Sequence, residues 1–329
     1  MFYSVIIPVF NRPDEVDELL ASLTTQKYKH FEVIVVEDGS TIPCQTVIER
    51  YTSSLDIHYY TKQNSGPGQT RNYGAAKSKG DYLIILDSDC ILPPDYFNAI
   101  EQELSSAPAD AFGGPDRAHP SFSPIQKAIN YAMTSFFTTG GIRGGKKKLD
   151  KFYPRSFNMG IKREVYQQLG GFSKMRFGED IDFSIRIFKN EYRCRLFPES
   201  WVYHKRRTDL KKFFKQVHNS GIARINLYKK YPDSLKLVHL LPALFTIGVA
   251  FLLLCTPFCP YALSPLALFA TAIFTDASLS NKSIRIGLLA IAASFFQLTG
   301  YGSGFLRAWW KRIICKQDEF TAFEKKFYK

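Results

Sequence analysis

The chain has 329 residues, enough for one large domain with an appendage or for two domains. Its formal net charge of +13 points to an anionic partner: nucleic acid, an acidic membrane surface or a phosphorylated substrate. Six scattered cysteines without metal-type spacing disfavour a zinc fold and fit a reducing compartment.

The first residues run straight into an apolar segment with no basic leader, so no secretory signal is expected. Ser4–Val9 reads as a buried strand ending near Pro8. Asn11-Arg12-Pro13-Asp14-Glu15 opens a helix: a cap, a proline suited to the first turn, and acids that favour the helix dipole. Val16, Leu19, Leu20 and Leu23 give that helix one apolar face. Phe31–Val36 is a second strand and runs into Glu37-Asp38-Gly39-Ser40. Ile57–Tyr60 is a weaker third, and Gln69–Ser78 reads as a helix. Tyr82–Leu86 is a short apolar run that stops at Asp87-Ser88-Asp89.

Strand and helix thus alternate over the first ~90 residues, which predicts a mostly parallel sheet with helices on its faces. In such sheets ligands bind beyond the carboxyl ends of the strands. Asn11, Asp38, Asp87 and Asp89 all fall there, so a nucleotide site is expected at that edge. No Gly-X-Gly-X-X-Gly or Walker loop follows the first strand, which disfavours dinucleotide and P-loop sites. The close pair Asp87 and Asp89 suits a hard divalent ion shared with substrate phosphates.

Helices are expected over Pro94–Ser105, Ser123–Phe137 and Arg163–Leu169, with a short strand at Ala111–Gly114. The basic, glycine-rich stretch Thr139–Lys148 reads either as a surface loop or as a flap over phosphates. Gly178-Glu179-Asp180-Ile181-Asp182 starts a helix in which Asp182 and Arg186 are spaced as an i,i+4 pair. Glu179 and Asp180 sit in its first turn, either for the helix dipole or as a carboxylate aimed into a cleft. His204 precedes Lys205-Arg206-Arg207, whose charges can face phosphates.

Asp209–Tyr228 is basic and amphipathic and reads as a helix lying on an anionic bilayer. Leu237–Phe258 and Ile286–Phe305 reach the ~20 residues that span a bilayer. Tyr261–Thr275 is shorter and is expected to pack as a third span or re-enter. Basic flanks before the first span and at Arg307, Lys311, Arg312 and Lys316 put both ends in the cytoplasm and favour an even number of spans. The expected domains are 1–205, catalytic; 206–235, a basic interfacial helix; 236–306, two or three hydrophobic segments; and 307–329, a basic tail.

The stretches Ser4–Asn11, Val35–Ser40, Gly68–Ala75, Leu86–Asp89, Leu169–Phe172 and Gly178–Asp182, in this order, resemble the family 2 glycosyltransferases of the GT-A fold, in their membrane-anchored, surface-polysaccharide form. The resemblance covers about two thirds of the chain. It implies an inverting transfer from a nucleoside diphosphate sugar. By matched positions, Pro8, Phe10 and Asp38 border the nucleobase and Arg71 helps hold the nucleotide. Asp87 approaches the ribose, and Asp89 holds Mg²⁺ or Mn²⁺ on the diphosphate. Asp180 matches the base, with Glu179 beside it, and His204 matches a metal or diphosphate ligand. The Gln-X-X-Arg-Trp signature of processive synthases does not follow Asp180, which favours addition of one sugar.

The expected acceptor is a membrane-borne, polyprenyl-diphosphate-linked glycan, with the catalytic domain on the cytoplasmic face of the inner membrane. A polyprenyl-phosphate sugar synthase is the alternative, though its acceptor phosphate needs no base. UDP is preferred to GDP only because Asp38 can accept from uracil N3–H. The basic residues lie beside apolar segments and do not interleave with exposed aromatics, so nucleic acid is not an expected partner. The spans are too few for a transporter.

Overall fold

The computed structural model describes residues 1–139, 152–175 and 177–318. The basic glycine-rich stretch expected as a loop or flap lies, but for Thr139, outside the described residues. In chain order the elements are β1 (Tyr3–Val9), α1 (Pro13–Thr24), β2 (Phe31–Asp38), α2 (Gln45–Glu49), β3 (Ile57–Lys62), α3 (Pro67–Lys77), β4 (Tyr82–Leu86), β5 (Cys90–Ile91), α4 (Tyr96–Ser106), β6 (Ala111–Gly113) and β7 (Asp116–Arg117). Then come α5 (Pro124–Thr134), α6 (Phe136–Thr139), β8 (Asn158–Lys162), α7 (Arg163–Gln168), α8 (Glu179–Lys189), β9 (Cys194–Leu196), β10 (Val202–His204), α9 (Leu210–Lys230), α10 (Leu241–Cys255), α11 (Ser264–Asn281) and α12 (Ile284–Trp309).

The described residues form two compact units. The first takes 1–119 and 152–205. Its main sheet has the order β3-β2-β1-β4-β8-β6-β9. β3, β2, β1 and β4 run parallel, with Val5 opposite both Val33 and Ile84. β8 enters antiparallel to β4 and to β6. The strands bury nearly every residue of YSVIIPV, FEVIVVED and YLIIL, as expected for a sheet covered on both faces. One face packs on α1 and α4 through Val16, Leu19, Leu20, Leu23, Phe97 and Ile100. The other packs through Phe172, Phe183 and Ile187. A small second sheet, β5-β10-β7, pairs Cys90 with His204.

The second unit takes 120–139 and the described residues from Arg206 onward. Segment 120–139 was expected within the catalytic domain, yet Ala128, Ile129 and Ala132 of α5 pack with Phe213 and Val217 of α9 and with Ile286 and Ala290 of α12. Ser135, in extended backbone, also splits the expected Ser123–Phe137 helix into α5 and α6.

In α9, Phe213, Val217, Ile222, Ile225 and Leu227 are buried. The expectation that this apolar face meets lipid is therefore corrected: protein covers most of it. Gly221 and Gly304 let α9 and α12 touch, since a Cβ on Gly304 would come 2.0 Å from the carbonyl oxygen of His218.

Among the described residues three helical segments are long and apolar enough to cross a membrane: Leu237–Cys255, Pro260–Asn281 and Ile284–Ile314, with 19, 22 and 31 residues. The middle segment was expected to be shorter; its helix continues past Thr275 to Asn281, through a stretch where Asp276, Ser278 and Ser280 alternate with apolar residues. Leu244, Ile247, Phe251, Leu254 and Leu268 are exposed, an apolar surface of the kind that lipid covers.

Candidate active site

The site is built from residues of the first unit. The parallel register brings the carboxyl ends of β1, β2 and β4 to one edge of the sheet. β4 ends at Leu86, and Asp87 and Asp89 follow at that edge. α8 begins there too. Its N-cap, Gly178, has φ +84°, a left-handed conformation that glycine adopts without strain. The helix then presents Glu179 and Asp180 in its first turn, both largely buried.

Arg71 ties the strand end to this helix. It is 3% exposed, donates from Nη2 to Asp87 Oδ1 at 2.7 Å, and donates from Nη1 to Glu179 Oε1 at 3.2 Å. Its guanidinium also lies over the Phe172 ring. Burial pushes the Glu179 carboxyl up to about 7; the neighbouring charge of Asp180 adds to the rise and Arg71 opposes it. Asp180 Oδ1 accepts the Ile181 amide at 2.8 Å, and its Oδ2 lies 2.6 Å from Nε of Arg155. The motif around Asn72 is structural. Its amide oxygen accepts from Tyr166 Oη and the Phe172 amide, and its nitrogen donates to the Phe172 carbonyl, which fixes the Leu169–Phe172 turn.

Asp89 meets His204 because β5 pairs with β10. His204 Nε2 is 3.1 Å from Asp89 Oδ1, and its Nδ1 is 4.0 Å from Asp116 Oδ2. The imidazole stacks on Phe157, with centroids 4.7 Å apart. Arg12 Nη1 donates to Asp89 Oδ2 at 3.3 Å. Asp89, Cys90 and His204 each offer one ligand atom, all within 4.8 Å of one another. Neighbouring oxygen and nitrogen ligands on one octahedral ion at ~2.1 Å stand ~3 Å apart, so the Asp89–His204 spacing suits Mg²⁺ or Mn²⁺. Cys90 is poorly suited: burial and the adjacent carboxylates hold its thiol well above the ordinary range, and Sγ–H donates to the Phe157 carbonyl.

Other residues singled out in the sequence take different positions. Asp38 stands at the end of β2, 4% exposed, and is turned into the following loop. Its Oδ1 accepts from Lys62 Nζ at 2.5 Å and from the Ser65 amide, and its Oδ2 from the Gly66 amide. Asn11 Oδ1 accepts from the Thr41 and Ile42 amides, so this side chain pins the loop after β2. Pro8 and Phe10 are half-buried at the end of β1. Arg206 and Arg207 belong to the second unit, where the buried Arg206 guanidinium donates to Asn130 Oδ1. Asp182 and Arg186 form the i,i+4 pair that their spacing predicts.

Arg12, Asp116, Arg155 and Lys62 were not expected at these positions. Arg12 was read only as a candidate helix cap, which it is, and Asp116 and Arg155 sit in segments without a local pattern.

Residues 4–170, half of the 329, match the family described as Glycosyl transferase family 2. The chain belongs to this family. The sheet of its first unit is GT-A-like. An uncharacterized glycosyltransferase of Haemophilus influenzae is 31% identical over 192 residues, 56% of this chain and 62% of that protein. The poly(ribitol-phosphate) beta-N-acetylglucosaminyltransferase TarS of Staphylococcus aureus is 34% identical over 102 residues, 30% of this chain and 17% of that protein. The chain thus spans less than two thirds of the length of these curated relatives.

Among solved structures, a mannosyltransferase of Pyrobaculum calidifontis in complex with GDP-Man and Mn²⁺ matches with TM-score 0.55 and 19% identity, over 90% of this chain and 86% of its own. Staphylococcus aureus TarS in complex with UDP matches with TM-score 0.51 and 18% identity, over 96% and 92%. These likenesses extend to the fold.

Proposed function

We propose that this family 2 glycosyltransferase moves one sugar, with inversion, from a nucleoside diphosphate sugar to a hydroxyl of a membrane-borne, polyprenyl-diphosphate-linked glycan. One observation carries the reading. Arg71 bridges the strand-end carboxylate of Asp87 to Glu179 on the helix that also carries Asp180. The proposed nucleotide-holding group and the proposed proton acceptor share one edge of the sheet. The UDP and GDP-Man complexes of the structural neighbours support a nucleotide sugar as donor, and UDP is the preferred carrier.

Pro8 and Phe10 offer an apolar wall to the base. Asp38 keeps one lone pair on Oδ2 for a nucleobase N–H, because that oxygen accepts a single donor among the described residues. Asp87, oriented by Arg71, reaches the ribose. Asp89 and His204 are the residues to hold Mg²⁺ or Mn²⁺, with Asp116 behind His204. When bound, such an ion neutralises charge that grows on the departing diphosphate.

Asp180 Oδ2 takes the proton of the acceptor hydroxyl as its oxygen forms the new bond to the anomeric carbon. The bond from that carbon to the diphosphate oxygen breaks on the opposite side, and the nucleoside diphosphate leaves with the electron pair. One displacement inverts the centre. Glu179 braces Arg71 beside the base.

The three apolar segments support an acceptor held in the bilayer, and the basic residues before the first of them support a catalytic unit at the cytoplasmic face of the inner membrane. The test is transfer by detergent-extracted protein from a panel of nucleoside diphosphate sugars, with lipid-linked and water-soluble acceptors in parallel. Equal transfer to soluble sugars would overturn the lipid-linked acceptor.

A further inference from the structure

We infer a second divalent-metal site in the first unit, formed by Glu32, Asp56 and His58 at the amino ends of β2 and β3. These residues lie at the opposite ends of the strands from Asp38, Asp87 and Asp89. The parallel pairing sets Val33 against Ile57 and Ile34 against His58, which brings Glu32, Asp56 and His58 together. Each offers one ligand atom, and the three atoms lie within 4.8 Å of one another.

Glu32 is 1% exposed. Its Oε1 accepts from Ser4 Oγ at 2.6 Å and from the Lys79 amide at 2.7 Å, so the carboxylate is fixed. Its Oε2 is also buried but has no hydrogen-bond partner among the described residues, and neither has Nε2 of His58. Yet Nε2 lies 3.5 Å from Glu32 Oε2 and 3.3 Å from Asp56 Oδ1. The three atoms are close together but not aligned as donor and acceptor. A buried carboxylate oxygen left this way is costly, and a cation bound between the three atoms would satisfy it.

Ligands on a tetrahedral ion with bonds of ~2.0–2.1 Å stand ~3.3–3.5 Å apart, and both measured separations fall there. Asp56 and the edge of His58 reach solvent, which leaves room for water as a fourth ligand. One imidazole and two carboxylates suit Zn²⁺ among the first-row ions. β3 is the last strand of the sheet and has a single neighbour, β2. The ion therefore fastens an edge strand, a structural role independent of sugar transfer.

The test uses the full chain in detergent, carrying Asp89→Ala and His204→Ala to remove the donors at the other end of the strands. After chelation it is titrated with ZnCl₂ alone and, separately, CoCl₂ alone. The expected result is saturable equimolar uptake, the visible absorption of four-coordinate cobalt, and a rise in Tm. His58→Ala in the same background abolishes all three, and Asp56→Asn, a substitution at an exposed position, weakens uptake. Absence of uptake in the background protein, or uptake unchanged by His58→Ala, overturns the site and leaves a plain histidine–carboxylate pair.

Discussion

Arg155 Nε lies 2.6 Å from Oδ2 of Asp180, the oxygen to which the proposed mechanism gives the acceptor's proton. Oδ1 is taken by the Ile181 amide, so the carboxylate has little freedom to turn. An acceptor hydroxyl must share Oδ2 with Arg155 or displace it.

Asp180→Asn keeps the shape and removes the proton acceptor. Turnover is expected to fall about 10²–10⁴-fold, the typical contribution of a general base, while nucleotide binding with Mn²⁺ stays within experimental error. Arg155→Gln is expected to lower turnover less, because it loosens the carboxylate without removing it. Steady-state rates and nucleotide titrations check both; parental turnover in Asp180→Asn sinks the assignment.

Asp89→Ala and His204→Ala each remove one donor of the proposed catalytic metal site. Both are expected to weaken Mn²⁺-dependent nucleotide binding by about 10-fold or more, in line with losses at metal sites. Chelation of the parent protein should do the same, reversibly. Calorimetric titration with UDP, with and without Mn²⁺, decides it.

Glu179 has its carboxyl raised to about 7 by burial. A raised carboxyl means the folded protein binds more protons than the unfolded chain between ordinary glutamate titration and about 7. Its contribution to stability is therefore present at low pH and is lost as pH rises through that window. Glu179→Gln removes the effect: its Tm relative to the parent should rise from about pH 5 to about pH 8. A constant difference would show that Glu179 is not the titrating group.

Arg71→Met should be more damaging. It leaves Asp87 and Glu179 without their shared cation, and breaking such a buried pair costs about 3–5 kcal/mol. Chemical denaturation should show the loss, and Glu179→Gln in the same chain should recover part of it.

Gly304→Val crowds the contact between α9 and α12, because even a Cβ at this position would come 2.0 Å from the His218 carbonyl oxygen. The two helices must then separate, at about 1–3 kcal/mol for overpacking. Thermal unfolding in detergent should fall, whereas Gly248→Val, where a Cβ meets nothing within 4 Å, should leave it unchanged.

Much of the first unit was legible because its strands are local signals. The runs Tyr3–Val9, Phe31–Asp38 and Tyr82–Leu86 are apolar, short and bounded by turn residues, so their edge and its acids could be read in order. Asp182 with Arg186 was legible for the same reason, since helical spacing alone brings them together. Asn11 and Asp38 were correctly put at strand ends, but their side chains turn into neighbouring loops, which only the packing of residues 40–42 and 62–66 determines. The covered face of α9 was likewise out of reach, because an amphipathic pattern is the same whether protein or lipid faces it.

The sequence by itself determined the family, the alternating sheet, the order of its acidic strand ends and the presence of long apolar segments, because these depend on neighbours along the chain. Only the tertiary structure decided that Arg71 holds Asp87 while reaching Glu179, 108 positions further on, that His204 stands beside Asp89, and that Arg155 meets Asp180. Such contacts depend on which strands pair and where a helix begins in space, and no local spacing encodes that.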